Sequence, residues 1–344
     1  MARRSIIPLF VPHLGCPKQC VFCDQKRISG SLLPARAADV RAALDAAADR
    51  GARDAQLAFY GGSFTAVPER LQNELLDAAQ AYIDRGVIAS IRLSTRPDAV
   101  DGGTLARLRG YRVETVELGS QSMDDGVLEA SGRGHSAADT VRAAELVRAA
   151  GLRLVLQMMT GLPGSSDEKD VETARRIAAL GPDGVRIYPT VIVRGTPLYD
   201  MWRAGQYREH TVADAVRVCA DILPVFEAAG IPVIRLGLNP TQELSGGQAA
   251  GGAYHPALGE LVRSECLRRE AMELLRDVPP GSAVTLGAAP ERVSALIGQH
   301  RANVEAIRRG KGLRALSVKP CTQAGKAIVL LAAVPDAERP PGRR

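Results

Sequence analysis

The sequence predicts an α/β protein, a partial (β/α)6 barrel followed by a small basic α/β C-terminal appendage. Three observations predict it. From Ser5 to about Gly237, short apolar runs alternate six times with Ala- and Arg-rich stretches of helical period, the rhythm of parallel strands joined by right-handed crossovers. After Gly237 the rhythm gives way to NPTQELSGGQAAGGAYHPALG, whose composition marks a long loop. Beyond VPPGS the pattern reads strand, helix, helix, strand, strand. Residues 281–344 hold eleven Lys or Arg against four Asp or Glu, so the net charge of +6 belongs to the tail.

The six strands are SIIPLFVPH, AQLAFYG, ASIRLST, TVELGS, RLVLQMM and GVRIYPT, each rich in β-branched, Leu or aromatic residues. Between them, stretches such as ARAADVRAALDAAADRG and SAADTVRAAELVRAAG space their apolar residues helically and stop at a glycine. Six consecutive units suggest an incomplete barrel, although a doubly wound sheet uses similar units. Residues 1–240 are therefore assigned to the barrel, 241–278 to a loop and helical extension (LGELVRSECLRREAMELLRD), and 279–336 to the appendage, with AERPPGRR a frayed end.

With 46% hydrophobic and 24% charged residues, the chain is not predominantly disordered. Its six cysteines include three within eight residues, Cys16, Cys20 and Cys23, while Cys219, Cys266 and Cys321 are scattered. That is the distribution of a metal site and not of a disulfide framework. Arg3 and Arg4 before an apolar run suggest an export signal, but Pro8, Pro12 and His13 interrupt it. No apolar run approaches the roughly 20 residues that span a bilayer, so a reducing, cytoplasmic location is expected.

HLGCPKQCVFCDQ follows the first strand, where parallel βα folds place ligand-binding loops. Its Cys-x3-Cys-x2-Cys spacing turns three thiolates onto one face. Iron–sulfur clusters are normally held by four cysteines, so a three-cysteine loop leaves one iron open. Structural zinc is the alternative, with His13 as a fourth ligand, but no second knuckle accompanies the loop.

That spacing, with Phe22 just before the last cysteine, resembles the signature of the radical S-adenosylmethionine (SAM) superfamily. The resemblance implies a TIM-like partial barrel of the radical SAM type, with a [4Fe–4S] cluster on Cys16, Cys20 and Cys23 and SAM chelating the open iron. It also implies an electron donor such as flavodoxin or ferredoxin, and reductive cleavage of SAM to a 5′-deoxyadenosyl radical that takes hydrogen from the substrate. By the same resemblance Gly61, Gly62 and Ser63 bind the SAM amine, Ser120, Gln121, Arg133 and Gln157 line its ribose and carboxylate, and Leu162 packs near the adenine. These residues fall in strand-end motifs, FYGGSFT, ELGSQSMDD with SGRGHS, and QMMTGLPG, where barrel enzymes build their sites. STRPD ends the third strand in the same way, and His135 is a further candidate.

VRIYPTVIVRGTPLYDMWRAGQY, STRPD, ELGSQS and RGHS together resemble the Elongator catalytic subunit family over roughly residues 5–205. That family joins a radical SAM domain to an acetyltransferase domain and modifies wobble uridines of tRNA at C5. No stretch here is long enough for the acetyltransferase half, so the shorter bacterial Elongator-like radical proteins are the expected nearer relatives. In the tail, Ile297, Gly298, Arg301, Val304 and Ile307 carry the spacing of a KH-type element. Arg301 replaces the second glycine of its loop, so the element is KH-like only. Arg308, Arg309, Lys311 and Arg314 would meet phosphates if tRNA or another RNA is the partner; a solvated basic face is the alternative. Three functions stay open: a radical enzyme on RNA, one on a small molecule such as a porphyrinogen, and a non-catalytic metal-bearing RNA-binding protein.

Overall fold

A computed structural model describes residues 4–11, 16, 20–24, 35–239 and 244–335, which divide into two units, Met1–Pro256 and Ala257–Arg344. His13 and the AERPPGRR end lie outside the described residues. In the first unit, β1 (Ile6–Phe10), β2 (Ala55–Tyr60), β3 (Ile88–Thr95), β4 (Val113–Gln121), β5 (Arg153–Thr160) and β6 (Gly184–Pro189) form a parallel sheet in chain order. Strand patterning explains which face is covered. Leu57 and Phe59 of β2, Ile91 and Leu93 of β3, and Leu154 and Leu156 of β5 are fully buried at alternate positions, as period-two side chains on a helix-covered face must be.

The covering helices are α1 (Ala37–Asp49), α2 (Glu69–Asp84), α3 (Gly102–Gly110), α4 (Asp125–Ala130), α5 (Ala137–Ala149) and α6 (Asp167–Ala179). Short polar residues start several of them. Asp101, Asp124, Ser136 and Ser166 each accept a main-chain N–H of the first turn, and Ser136 does so in a capping box with Asp139.

The sheet is a curled half-barrel. In a flat sheet β2 and β6 would stand about 19 Å apart, four spacings of roughly 4.8 Å. Arg186 of β6 nevertheless donates to the Tyr60 hydroxyl of β2 at 2.8 Å, which only a strongly concave face allows. One strand more is present than the six read from sequence: β8 (Val233–Leu236) pairs parallel with β6 as the seventh. It follows α7 (Pro197–Arg203) and α8 (Val212–Ala228). Part of the stretch read as a long loop is also ordered, since β9 (Ala249–Gly252) pairs antiparallel with β7 (Val191–Val193).

The second unit begins with α9 (Leu258–Leu274), drawn from sequence as part of a separate extension. Its Leu267 and Ala271, with Leu275, share one core with Val284, Leu286, Leu296, Val304 and Ile307, and this common burial is why the helix belongs to that unit. Then come β10 (Ala283–Ala288), α10 (Pro290–Ile297), α11 (Ala302–Gly310), β11 (Ala315–Pro320) and β12 (Val329–Val334), the order read from sequence, in a sheet β11-β10-β12. The loop between α10 and α11 closes with Arg301 N–H on the Gly298 carbonyl at 3.1 Å. Arg301 takes the left-handed conformation, φ +64°, that a second glycine would have supplied. Gly298 itself is required, because a Cβ there would meet the Asn303 nitrogen at 2.9 Å.

Candidate functional site

The strand-end motifs converge at the C-terminal rim of the half-barrel. The cysteine segment is pinned there by its backbone: Val21 N–H donates to the Ser131 carbonyl at 3.1 Å, Leu198 N–H to the Val21 carbonyl at 2.8 Å, and Cys23 N–H to the Cys20 carbonyl at 3.1 Å. Phe22 then packs between two apolar groups, one of Val127, Met159 and Leu162, the other of Ile192, Leu198 and Tyr207. The aromatic beside the last cysteine is thus an anchor that fixes the segment to the ends of β5 and β7.

Each cysteine reaches a different neighbour. Cys16 Sγ lies 3.6 Å from Ser63 Oγ, at the end of the Gly61-Gly62-Ser63 turn, in which Gly61 is left-handed at φ +84°. Cys20 is buried and receives an N–H from Arg133 at 3.2 Å. Cys23 is half-buried. Among the described residues no three His, Cys, Asp or Glu side chains form a group that could hold a metal ion. The three sulfurs therefore share a rim but are not drawn onto one point.

Arg133 is the hub of this rim. Its second NH2 group donates to the Gly119 carbonyl at 2.7 Å, and its own carbonyl accepts from Arg96 at 2.7 Å. Arg96, 3% exposed, is clamped by Asp98 through two bonds of 2.8 Å. Burial pulls its pKa down while Asp98, Cys20 and Cys16 push it up, and the net direction is up. Two guanidiniums beside the thiols make the rim electropositive. The STRPD motif stood out in the sequence, but Arg96 as a site residue did not.

Buried polar atoms are left over here. Ser120 Oγ, Ser131 Oγ, Arg133 Nε and His135 Nδ1 have no hydrogen-bond partner among the described residues, although buried polar groups are nearly always satisfied. Burial, then Arg133 and Arg96, pushes His135 down to about 4, so the ring is neutral at pH 7. Its Nε2 lies 3.3 Å from the Ser120 carbonyl. Gln121, left-handed at φ +63°, accepts from Gln157 Nε2 at 3.4 Å. Ser63, Ser120, Gln121, Arg133 and Gln157 thus each make a polar contact around the ends of β2, β4 and β5, Gly61 and Gly62 lie in the turn that follows β2, and Leu162 packs against Phe22.

Beside Leu162 opens a cavity of about 460 Å3, lined by the loop from Gly161 to Ser166, by the start of α6 and by Tyr207, His210 and Arg217. The loop is held from within. Asp170 accepts Gly161 N–H at 2.8 Å and the Ser165 hydroxyl at 2.6 Å, and burial raises its carboxyl to about 6 against those two bonds. Tyr207 donates to the Gly161 carbonyl at 2.6 Å, and His210 Nε2 lies 3.1 Å from Thr160 Oγ1.

Comparison with known proteins places this architecture. The radical SAM superfamily model matches residues 10–177 and the radical SAM C-terminal domain model residues 182–268. Human Elongator complex protein 3 is 30% identical over 183 residues, covering 47% of this chain and 34% of that protein. The tRNA uridine(34) acetyltransferase of Methanocaldococcus infernus is 35% identical over 138 residues, 38% of this chain and 26% of that protein. The match therefore spans about a third or less of these relatives, within their radical SAM portion. The solved Elp3 of M. infernus, lacking its N-terminus, superposes with a TM-score of 0.62 over 80% of this chain and 66% of that one, at 23% identity, and shares the fold. No helix among the described residues is long and apolar enough to cross a membrane. The chain belongs to the radical SAM superfamily, whose members are enzymes that use a [4Fe–4S] cluster and SAM.

Proposed function

We propose that Cys16, Cys20 and Cys23 hold the cluster, that the strand-end residues around Arg133 bind SAM, and that the substrate is RNA, with tRNA first among the candidates. The observation that carries the site is Cys20 Sγ held 3.2 Å from Arg133 on a rim where Ser120, Arg133 and His135 each keep a buried polar atom without a partner among the described residues. Three thiols in one segment, and not four, suit a cluster with an open iron, and the unsatisfied atoms suit a polar ligand beside it. When bound, the reduced cluster with SAM supplies one-electron cleavage of the sulfonium. The chain's own residues do the rest. Arg133 and Arg96 supply positive charge beside the thiolates, Phe22 and Leu162 close an apolar wall against water, and neutral His135, donating Nε2–H to the Ser120 carbonyl, offers Nδ1 as an acceptor. A reducing, cytoplasmic setting with a flavodoxin- or ferredoxin-like donor follows from that chemistry.

RNA as substrate is supported by the relatives named as tRNA-modifying proteins and by the tail, where Arg301, Arg308, Arg309, Lys311 and Arg314 cluster on and around α11. Arg308 is partly engaged by Glu305 at 2.9 Å. The 279–336 region, with its closed Gly298–Arg301 loop, is read as a KH-like RNA-binding element.

The test is anaerobic reconstitution with iron and sulfide, reduction with dithionite in the presence of SAM, and assay of 5′-deoxyadenosine with and without tRNA. About four irons per chain and 5′-deoxyadenosine are expected, both lost in the Cys16→Ala, Cys20→Ala and Cys23→Ala variants. Bound zinc in place of iron, or iron without 5′-deoxyadenosine, overturns the proposal.

A further inference from the structure

On the concave face of the half-barrel, three charged side chains from three strands meet. Glu117 of β4, 2% exposed, is 2.7 Å from Arg92 NH1 of β3 and 2.8 Å from Arg186 Nε of β6. Arg92 and Arg186 are only 13% and 14% exposed. Two guanidiniums share one carboxylate, so the trio carries one excess positive charge away from bulk water. Such a charge is costly unless something supplies the counter-charge.

The surrounding partners are neutral. Arg92 Nε donates to Gln56 Oε1 at 2.7 Å, and Arg186 donates to the Tyr60 and Tyr188 hydroxyls at 2.8 and 3.3 Å. Burial, then Glu117, pushes Tyr60 up to about 12, so its phenol stays protonated and adds no negative charge. Arg186 donates from NH2 to Glu117 Oε1 at 3.0 Å, but its Nε, although close to Glu117 Oε2, lacks hydrogen-bond alignment with it and has no partner among the described residues. Register sets the height of this group. Arg186 pairs with Gln157, and Gln157 with Gly119, whose carbonyl takes Arg133. Arg186 therefore stands level with the strand positions that carry the rim, while Glu117, paired with Val155, and Arg92, paired with Thr115, lie lower.

We propose that Arg186 and Arg92 form an oxyanion-binding site for the substrate, one that takes a phosphate or carboxylate group. This rests on the reading of the half-barrel as the chamber in which a radical enzyme meets its substrate. A planar guanidinium beside a second one matches two oxygens of such a group, and the stacked Arg186–Tyr60 pair, 5.2 Å from charge to ring, holds the donor rigid. An RNA substrate brings a backbone phosphate, and a small acid brings a free carboxylate.

The test uses the full chain with inorganic phosphate and 13C-labelled acetate as probes, read by 31P and 13C line broadening, with circular dichroism to confirm folding. Both probes are expected to bind the wild type. Arg186→Met is expected to weaken them roughly tenfold, and Glu117→Gln, which keeps the shape and raises the excess charge to two, to tighten them. Should Arg186→Met fail to fold, Arg92→Met and Glu117→Gln carry the same comparison. Folded variants that bind both probes as the wild type does would reduce the trio to a brace across the half-barrel and overturn the site. A tRNA anticodon stem-loop that displaces phosphate in the wild type assigns the group to an RNA phosphate. Acetate binding that the stem-loop leaves untouched assigns it to a small carboxylate, which removes RNA as the substrate and leaves the oxyanion site standing.

Discussion

Gly161→Ala is the sharpest single perturbation of the rim. A Cβ at Gly161 would lie 2.1 Å from His210 Cγ, and the residue's φ is +69°. Two costs add. An L-residue in the left-handed region costs about 1–2 kcal/mol. Displacing the ring forfeits the 3.1 Å contact with Thr160, worth about 1 kcal/mol, and exposes an imidazole that is now 8% exposed. A loss of roughly 2–3 kcal/mol is expected in the wild-type background. In a His210→Ala background there is no ring to strike, so the same change costs only the backbone share, about 1–2 kcal/mol. Urea unfolding followed by Trp202, the single tryptophan and a residue of the first unit, reports that unit. Equal losses in both backgrounds, to within about 0.5 kcal/mol, would refute the claim that His210 is the obstacle.

Two further outcomes follow from the same contacts. Burial holds His210 at about 4, below the ordinary histidine value of 6.5. The unfolded chain therefore binds a proton that the native state refuses between those values, and stability present above about pH 6.5 is lost as the pH falls toward 4. His210→Phe should flatten that acid limb in melting temperature against pH; an unchanged limb would assign the loss to other groups. Arg133→Met strips the N–H donors from Cys20 Sγ and the Gly119 carbonyl, and roughly a 10–100-fold weaker hold on iron is expected in competition with a chelator. Wild-type retention of iron would show that Arg133 does not support the ligating cysteines.

The cysteine segment was legible because its information is local: three thiols and one aromatic within eight residues need no knowledge of the fold. The six strands that form the body of the sheet were legible for the same reason, but β7, β9 and the edge strand β8 were not, and β8 shows the cause. Its four residues are all half-buried at the sheet edge, so they lack the buried run that marks the central strands. Arg96 was missed because its role depends on the Arg133 carbonyl, 37 residues away. The Arg92, Glu117 and Arg186 trio was missed for a related reason. The sequence shows one charge inside each of three strands, SIRLS, TVELG and GVRIYP, and only the curl of the sheet turns three isolated charges into one group. That recurrent single charge in otherwise apolar strands was the available signal, because a buried strand admits a charge only where a partner or ligand receives it.

The two arginine groups explain why the half-barrel carries its polar residues where it does. Helix-facing positions of the strands are apolar and fully buried, so any charge the chain needs near bound molecules must come from the concave face or from the loops above it. Arg133 and Arg96 come from loops and are held by carbonyls and Asp98. Arg92 and Arg186 come from strands and are held by one carboxylate and two phenols. The loop pair sits against the thiols of the cysteine segment, whereas the strand pair is set by sheet register. Substitutions on the floor should therefore alter which molecule is accepted, and substitutions on the rim should alter whether the site assembles at all.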